Sequence, residues 1–158
     1  MTQEASVPPD HPDLPVKPPI IFVIALAAGV AIHWVWPMSA RPASWGFLGI
    51  GVSVLAIALI EWASFTFRRS GTNVVPWKPA MTVVSRGPYA LSRNPISVGF
   101  ALFQVGLGLW TNRLAVVLMV VPAVIVTGVV VIRREERYLE RKFGAAYLEY
   151  KTRVRRWV

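Results

Sequence analysis

Two short stretches of this 158-residue chain carry side chains suited to chemistry. The first is Arg93-Asn94-Pro95, with Tyr89 just ahead of it in Arg86-Gly87-Pro88-Tyr89. The second, beyond a long apolar stretch, is Glu135-Glu136. A guanidinium, an amide, a phenol and two carboxylates hold charges and exchange hydrogen bonds. They suit the binding and orientation of a charged ligand. The chain has no cysteine, which excludes disulfides, thiolate nucleophiles and thiolate-held metals. Its two histidines lie far apart, so no metal centre is expected. Each stretch also has a purely structural reading. Asn94 is a good helix N-cap and Pro95 suits the first helical position, where a missing N–H costs nothing. Glu135 and Glu136 can sit on a solvated helix face beside their arginine neighbours.

The elements that position these residues are apolar blocks of membrane length. More than half of the residues are hydrophobic and they run in long blocks, a membrane protein's composition. Residues 1–19 hold six prolines and read as a disordered tail. Residues 20–36 form a first span, ending in Trp34 and Trp36 as interfacial rings, with His33 beside them. Residues 45–67 form a second, closed by Arg68-Arg69. Glu61 lies inside it, either as a functional acid at membrane depth or as a partner of Arg68 or Arg69. Residues 70–93 are a Pro- and Gly-rich connector, too polar to span and too long for a tight turn.

Residues 95–110 are a third, slightly short apolar segment interrupted by Ser97, Gly99, Gln104, Gly106 and Gly108. Small and polar residues within a membrane helix mark close packing or a cavity. A turn at Thr111-Asn112-Arg113 leads into a fourth span, residues 114–132, with Pro122 and Gly128 as kink points. The last two spans make a hairpin. From Arg133 the helix leaves the membrane with Tyr138, Leu139, Phe143, Tyr147 and Tyr150 at helical spacing, and Phe143-Gly144 divides it. Charge pairs such as Arg137 with Glu140 are expected along it. The fold class is thus all-α, an integral membrane protein of about four transmembrane helices with a C-terminal cytoplasmic helix, in a single domain from residue 20 to 158.

The net charge of +9 is a matter of topology and anionic headgroups; no basic and aromatic interleaving indicates nucleic acid. Fourteen of the seventeen Lys and Arg residues lie between Arg68 and Arg93 or from Arg133 onward. The positive-inside rule then places the connector and both termini in the cytoplasm.

Taken together, three blocks resemble one superfamily. They are Arg86-Gly87-Pro88-Tyr89 with Ser92-Arg93-Asn94-Pro95, the hairpin after them, and Glu135-Glu136 with Phe143-Gly144, Tyr147, Tyr150 and Arg153-Val154. The set resembles the isoprenylcysteine carboxyl methyltransferases and phospholipid methyltransferases, integral membrane enzymes, from about residue 71 to the C-terminus. The resemblance implies S-adenosylmethionine bound at the cytoplasmic side by that region, and a lipophilic acceptor or lipid reaching it from the bilayer. It implies cofactor contacts at Tyr89, Arg93, Asn94, Pro95, Glu135 and Glu136, with Arg93, Asn94 and Glu136 nearest the chemistry. Gln104 belongs to the same expected set, as do Gly99, Gly106 and Gly108, where backbone can approach an adenosine; helix packing is the competing reading of the glycines. Family members often carry histidine where this chain has Asn94, and an aromatic residue close to Ile96 and Ser97. An NADPH-dependent membrane reductase and a scaffold that kept the fold without the chemistry are the alternatives.

The topology has a direct test. Reporter fusions at Arg41 and Arg113 should read as external and one at Ser70 as internal; a cytoplasmic signal at Arg113 would break the hairpin.

Overall fold

The structure, a computed structural model, describes residues 14–39, 45–71 and 80–158. Most of the expected Pro-rich tail, part of the first loop (40–44) and the middle of the connector (72–79) lie outside the described residues. All regular structure among the described residues is helical. Helix α1 is Pro18–Val35, α2 is Trp45–Arg69, α3 is Pro95–Trp110, α4 is Leu114–Leu118 and α5 is Val120–Val126. A π-helical segment, Thr127–Ile132, joins α5 to α6, Arg133–Phe143; α7 is Ala145–Arg153.

Three helices are long and apolar enough to cross a bilayer: α1, α2 and the continuous run Leu114–Phe143. Helix α3 has 16 residues, about 24 Å of rise against a hydrocarbon core of about 30 Å. Three crossing-length helices and one shorter apolar helix therefore stand where four spans were expected. The outward faces are apolar, with Val23, Phe47, Leu55 and Val121 well exposed, as suits lipid contact. Glu61 lies on the exposed face of α2, and no described residue pairs with it.

Helices α2 and α3 run antiparallel in one constant register, set by glycines. A Cβ on Gly106 would lie 2.7 Å from the Ser53 nitrogen and 2.8 Å from the Gly49 carbonyl oxygen. A Cβ on Gly99 would overlap the Ile60 side chain, and one on Gly108 would come 2.7 Å from Val117 Cγ2. Small residues let the backbones close up where lipid supplies no hydrophobic drive between helices. Gln104, also within α3, donates from Nε2 to the Val116 carbonyl at 3.2 Å and ties the hairpin together. On the other side α1 packs Ile21, Phe22 and Ala25 against Ala123 and Val131.

The expected boundaries shift in three places. The tail stops short of Pro19: Pro18 and Pro19 open α1, and Leu14 and Val16 already pack on the α1 core. Proline's fixed φ and missing N–H suit a first helical turn, so a proline run can start a helix as well as prevent one. The fourth span breaks at Met119, one turn before Pro122, which cannot donate to the Leu118 carbonyl. Gly128 falls in the π segment, whose wider turn changes the facing of all that follows. The break at Phe143-Gly144 is as expected: Gly144 has φ +52°, a conformation that favours glycine.

Candidate functional site

One end of the bundle gathers the start of α1, the end of α2, the start of α3 and the start of α6. They enclose a cavity of about 340 Å³, within the range of small-molecule sites. Its apolar wall includes Pro18, Pro19, Ile60, Phe67, Phe100 and Ile132. Its polar wall holds Arg93, Asn94, Glu135, Glu136, Tyr147 and Tyr150.

Glu136 is the fixed point of the polar wall. It is 5% exposed, and a buried carboxylate is tolerated only when paired. Arg93 Nη1 lies 2.8 Å from its Oε1. Arg156, from the end of the chain, forks onto it with Nε 3.1 Å from Oε1 and Nη2 2.6 Å from Oε2. The Arg93 contact is ionic without hydrogen-bond alignment, for Nε and Nη1 of Arg93 are buried and lack an acceptor. Glu135, one residue away, also lines the cavity, yet no described residue pairs with it. The pair therefore divides: one carboxylate saturated, the other open.

The segment before α3 is stitched to the C-terminus. The Arg93 N–H donates to the Arg155 carbonyl at 3.0 Å. The Asn94 side chain donates from Nδ2 to the Arg156 carbonyl at 3.0 Å, and the Ser92 hydroxyl donates to the same oxygen at 3.4 Å. Asn94 sits at the cap position of α3, but its side chain makes no capping bond. The expected side-chain cap is thus corrected: the amide is turned to the C-terminal segment, and Ser92 Oγ accepts the Asn94 N–H at 3.1 Å.

Tyrosines build the rest of the wall. Gly87, at φ +60°, starts a single 3₁₀ turn, Gly87–Ala90, which buries Tyr89 against Phe67 with ring centroids 4.8 Å apart. The Tyr150 hydroxyl donates to the Tyr89 carbonyl at 2.7 Å. Burial, and after it the Glu136 carboxylate, push the Tyr147 phenol up to about 12, with Arg93 opposing the rise. Burial likewise raises Tyr89 and Tyr150. These phenols remain protonated at neutral pH. The hydrogen bond to Glu136 holds the Arg156 guanidinium above its ordinary range.

The structure brings Tyr89, Arg93, Asn94, Pro95, Glu135 and Glu136 to one cavity. It does not bring Gly99, Gln104, Gly106 or Gly108 there: the glycines are helix contacts and Gln104 ties the hairpin. Glu140 pairs with Lys151, not Arg137, which donates to the Arg133 carbonyl. Sequence reasoning missed Ser64, Phe100 and Arg156. Arg156 looks like Arg153 and Arg155 beside it, and only tertiary contact singles it out.

Fold and site define a membrane-embedded helical protein with a charged, ligand-sized cavity at one end of its bundle. The chain belongs to the phospholipid methyltransferase family, whose model matches residues 45–146. It is also similar to an uncharacterized protein of Haemophilus influenzae, 44% identical over 50 residues that make up 32% of this chain and 79% of that protein. The family is one of membrane methyltransferases, and the match spans the second apolar helix through the start of α7.

The divided carboxylate pair predicts unequal mutants. Glu136→Gln leaves Arg93 buried without a counter-charge and should cost about 3 kcal/mol, the low end for a broken buried pair because Arg156 is 34% exposed. Glu135→Gln should leave stability within about 0.5 kcal/mol of wild type. Thermal or chemical denaturation in detergent reads both; equal losses would contradict the division.

Proposed function

We propose that the cavity binds S-adenosylmethionine and that the protein transfers its methyl group to a lipophilic acceptor reaching the cavity from the bilayer. What carries the reading is the complementarity of the open groups. The cofactor is a cation with a zwitterionic amino-acid end. Glu135 offers an unpaired carboxylate for a cationic or hydroxyl group, and Arg93 offers buried N–H groups without an acceptor for a carboxylate. An orphaned donor in a buried site calls for a ligand, since leaving it unmade costs about 1–3 kcal/mol. The residues present therefore fit the cofactor.

When bound, the cofactor supplies a methyl group on a sulfonium, a good leaving group that asks little of the protein beyond alignment. Positioning and exclusion of water can then carry much of the rate. Glu135 and Arg93 fix the polar end of the ligand. Tyr150 donates to the Tyr89 carbonyl and Tyr147 accepts from Arg93, and neither phenol changes charge. Ile60, Phe100 and Ile132 keep the other side dry and suit an apolar chain. Transfer that rests on alignment asks for no general base. That favours acceptors that need none, such as a carboxylate, a thiolate or an amine. The lysine and arginine distribution supports a cytoplasmic position for this end of the bundle.

The reductase reading fares worse. Arg93 is the sole basic residue among the described ones lining the cavity, against two carboxylates, a poor match for a ligand as rich in phosphate as NADPH. Titration of the purified protein with S-adenosylmethionine, S-adenosylhomocysteine and NADPH separates the readings. The first two should bind saturably, and Glu135→Gln should weaken S-adenosylmethionine roughly tenfold or more, as for a lost charged hydrogen bond. Binding of NADPH alone would support the reductase, and binding of none a scaffold.

A further inference from the structure

We propose that Arg156 is a positioning residue: it holds both oxygens of Glu136 so that Glu136 cannot close on Arg93, and thereby keeps the Arg93 N–H groups available to a ligand carboxylate. The inference rests on the cofactor reading of the cavity and adds a residue outside its lining. Arg93, Asn94 and Glu136 line the cavity and Arg156 does not. Yet the two residues Arg155 and Arg156 touch all three from behind. The Arg155 carbonyl accepts the Arg93 N–H, the Arg156 carbonyl accepts the Asn94 amide, and the Arg156 guanidinium forks onto Glu136.

The geometry gives the division of labour. A carboxylate and a guanidinium at contact distance ordinarily form two parallel, aligned hydrogen bonds. Arg93 and Glu136 are at contact distance, 2.8 Å, and do not. Both Glu136 oxygens are already engaged by the fork from Arg156, at 3.1 and 2.6 Å. Arg93 therefore contributes charge to the pair while its buried Nε and Nη1 stay unspent, its side chain being otherwise hydrogen-bonded to Tyr147. The segment after α7, residues 154–158, acts as a strap and is anchored: Val154 is buried with Tyr147 and Tyr150, so α7 delivers Arg156 at a fixed height beside α6. Without Arg156, Glu136 turns to Arg93 as its one remaining cation among the described residues and takes up those N–H groups.

The test compares two ligands on the full-length protein. S-adenosylhomocysteine carries an amino-acid carboxylate; 5′-methylthioadenosine keeps the nucleoside and lacks that end. Arg156→Gln should weaken S-adenosylhomocysteine roughly tenfold, the scale of one charged hydrogen bond, and leave 5′-methylthioadenosine unchanged. Arg156→Lys should fall between, since an ammonium keeps the charge but cannot fork onto both oxygens; it also serves if the Gln variant fails to fold. A general loosening of the fold would weaken both ligands alike, and that result, or no loss for either, overturns the proposal. If wild type binds neither ligand, the cofactor reading fails on its own account. Hydrogen exchange of residues 92–94 then decides the strap: faster exchange in Arg156→Gln upholds it, and unchanged exchange overturns it.

Discussion

The buried Glu136 carboxylate is the constraint on which the site depends. A lone ionised carboxylate at that depth would cost several kcal/mol, so it requires cations, and it draws them from two distant parts of the chain. Arg93 comes from the turn before α3 and Arg156 from the C-terminus. One ion cluster therefore pins the mouth of α3, the start of α6 and the C-terminal segment to each other. Glu135 lines the cavity beside this cluster, and no described residue pairs with it.

The bundle is built to deliver those groups to one place. The glycine contacts fix how far α3 slides along α2, which sets the height of Arg93-Asn94-Pro95 against Ser64 and Phe67. The π segment before α6 fixes which way α6 faces, and so which side of the helix carries Glu135 and Glu136 inward. Thr127, in that segment, is fully buried with an unpaired hydroxyl. Local irregularity of this kind is common beside functional sites, where it re-aims side chains at some cost in backbone regularity. The membrane-facing residues contribute mostly apolar cover, and the specific chemistry sits in the α3 start, α6 and the C-terminal segment.

Much of this was legible in the sequence. Long apolar blocks announce membrane helices, and the Glu pair after the last block stands out because acids are scarce there. Arg93-Asn94-Pro95 was marked by its place at the edge of an apolar segment, and it does reach the cavity with Tyr89. The glycines of α3 were ambiguous for a physical reason. Absence of a side chain permits close approach of a ligand or of a helix, and only the neighbours decide; here they are Ile60, Ser53 and Val117. Asn94 misled in a similar way. Its type and position suit a cap, but its amide found a carbonyl 62 residues later. Arg156 gave no signal at all, since a basic tail looks alike at every arginine until the fold selects one. Pro18 and Pro19 were hidden among other prolines, although the same restriction on φ that stiffens a tail also opens a helix.

The central claim is that this cavity presents an activated methyl group to a lipophilic acceptor, with Glu135 holding the methyl donor. The most direct measurement is label transfer. The purified protein, reconstituted in bilayers of the host's extracted lipids, is incubated with methyl-labelled S-adenosylmethionine, and the organic phase is counted and resolved by mass spectrometry. The account predicts label in a lipophilic product from wild type, and its loss in Glu135→Gln at cofactor concentrations that saturate wild type. Label that enters the organic phase equally from Glu135→Gln would contradict it.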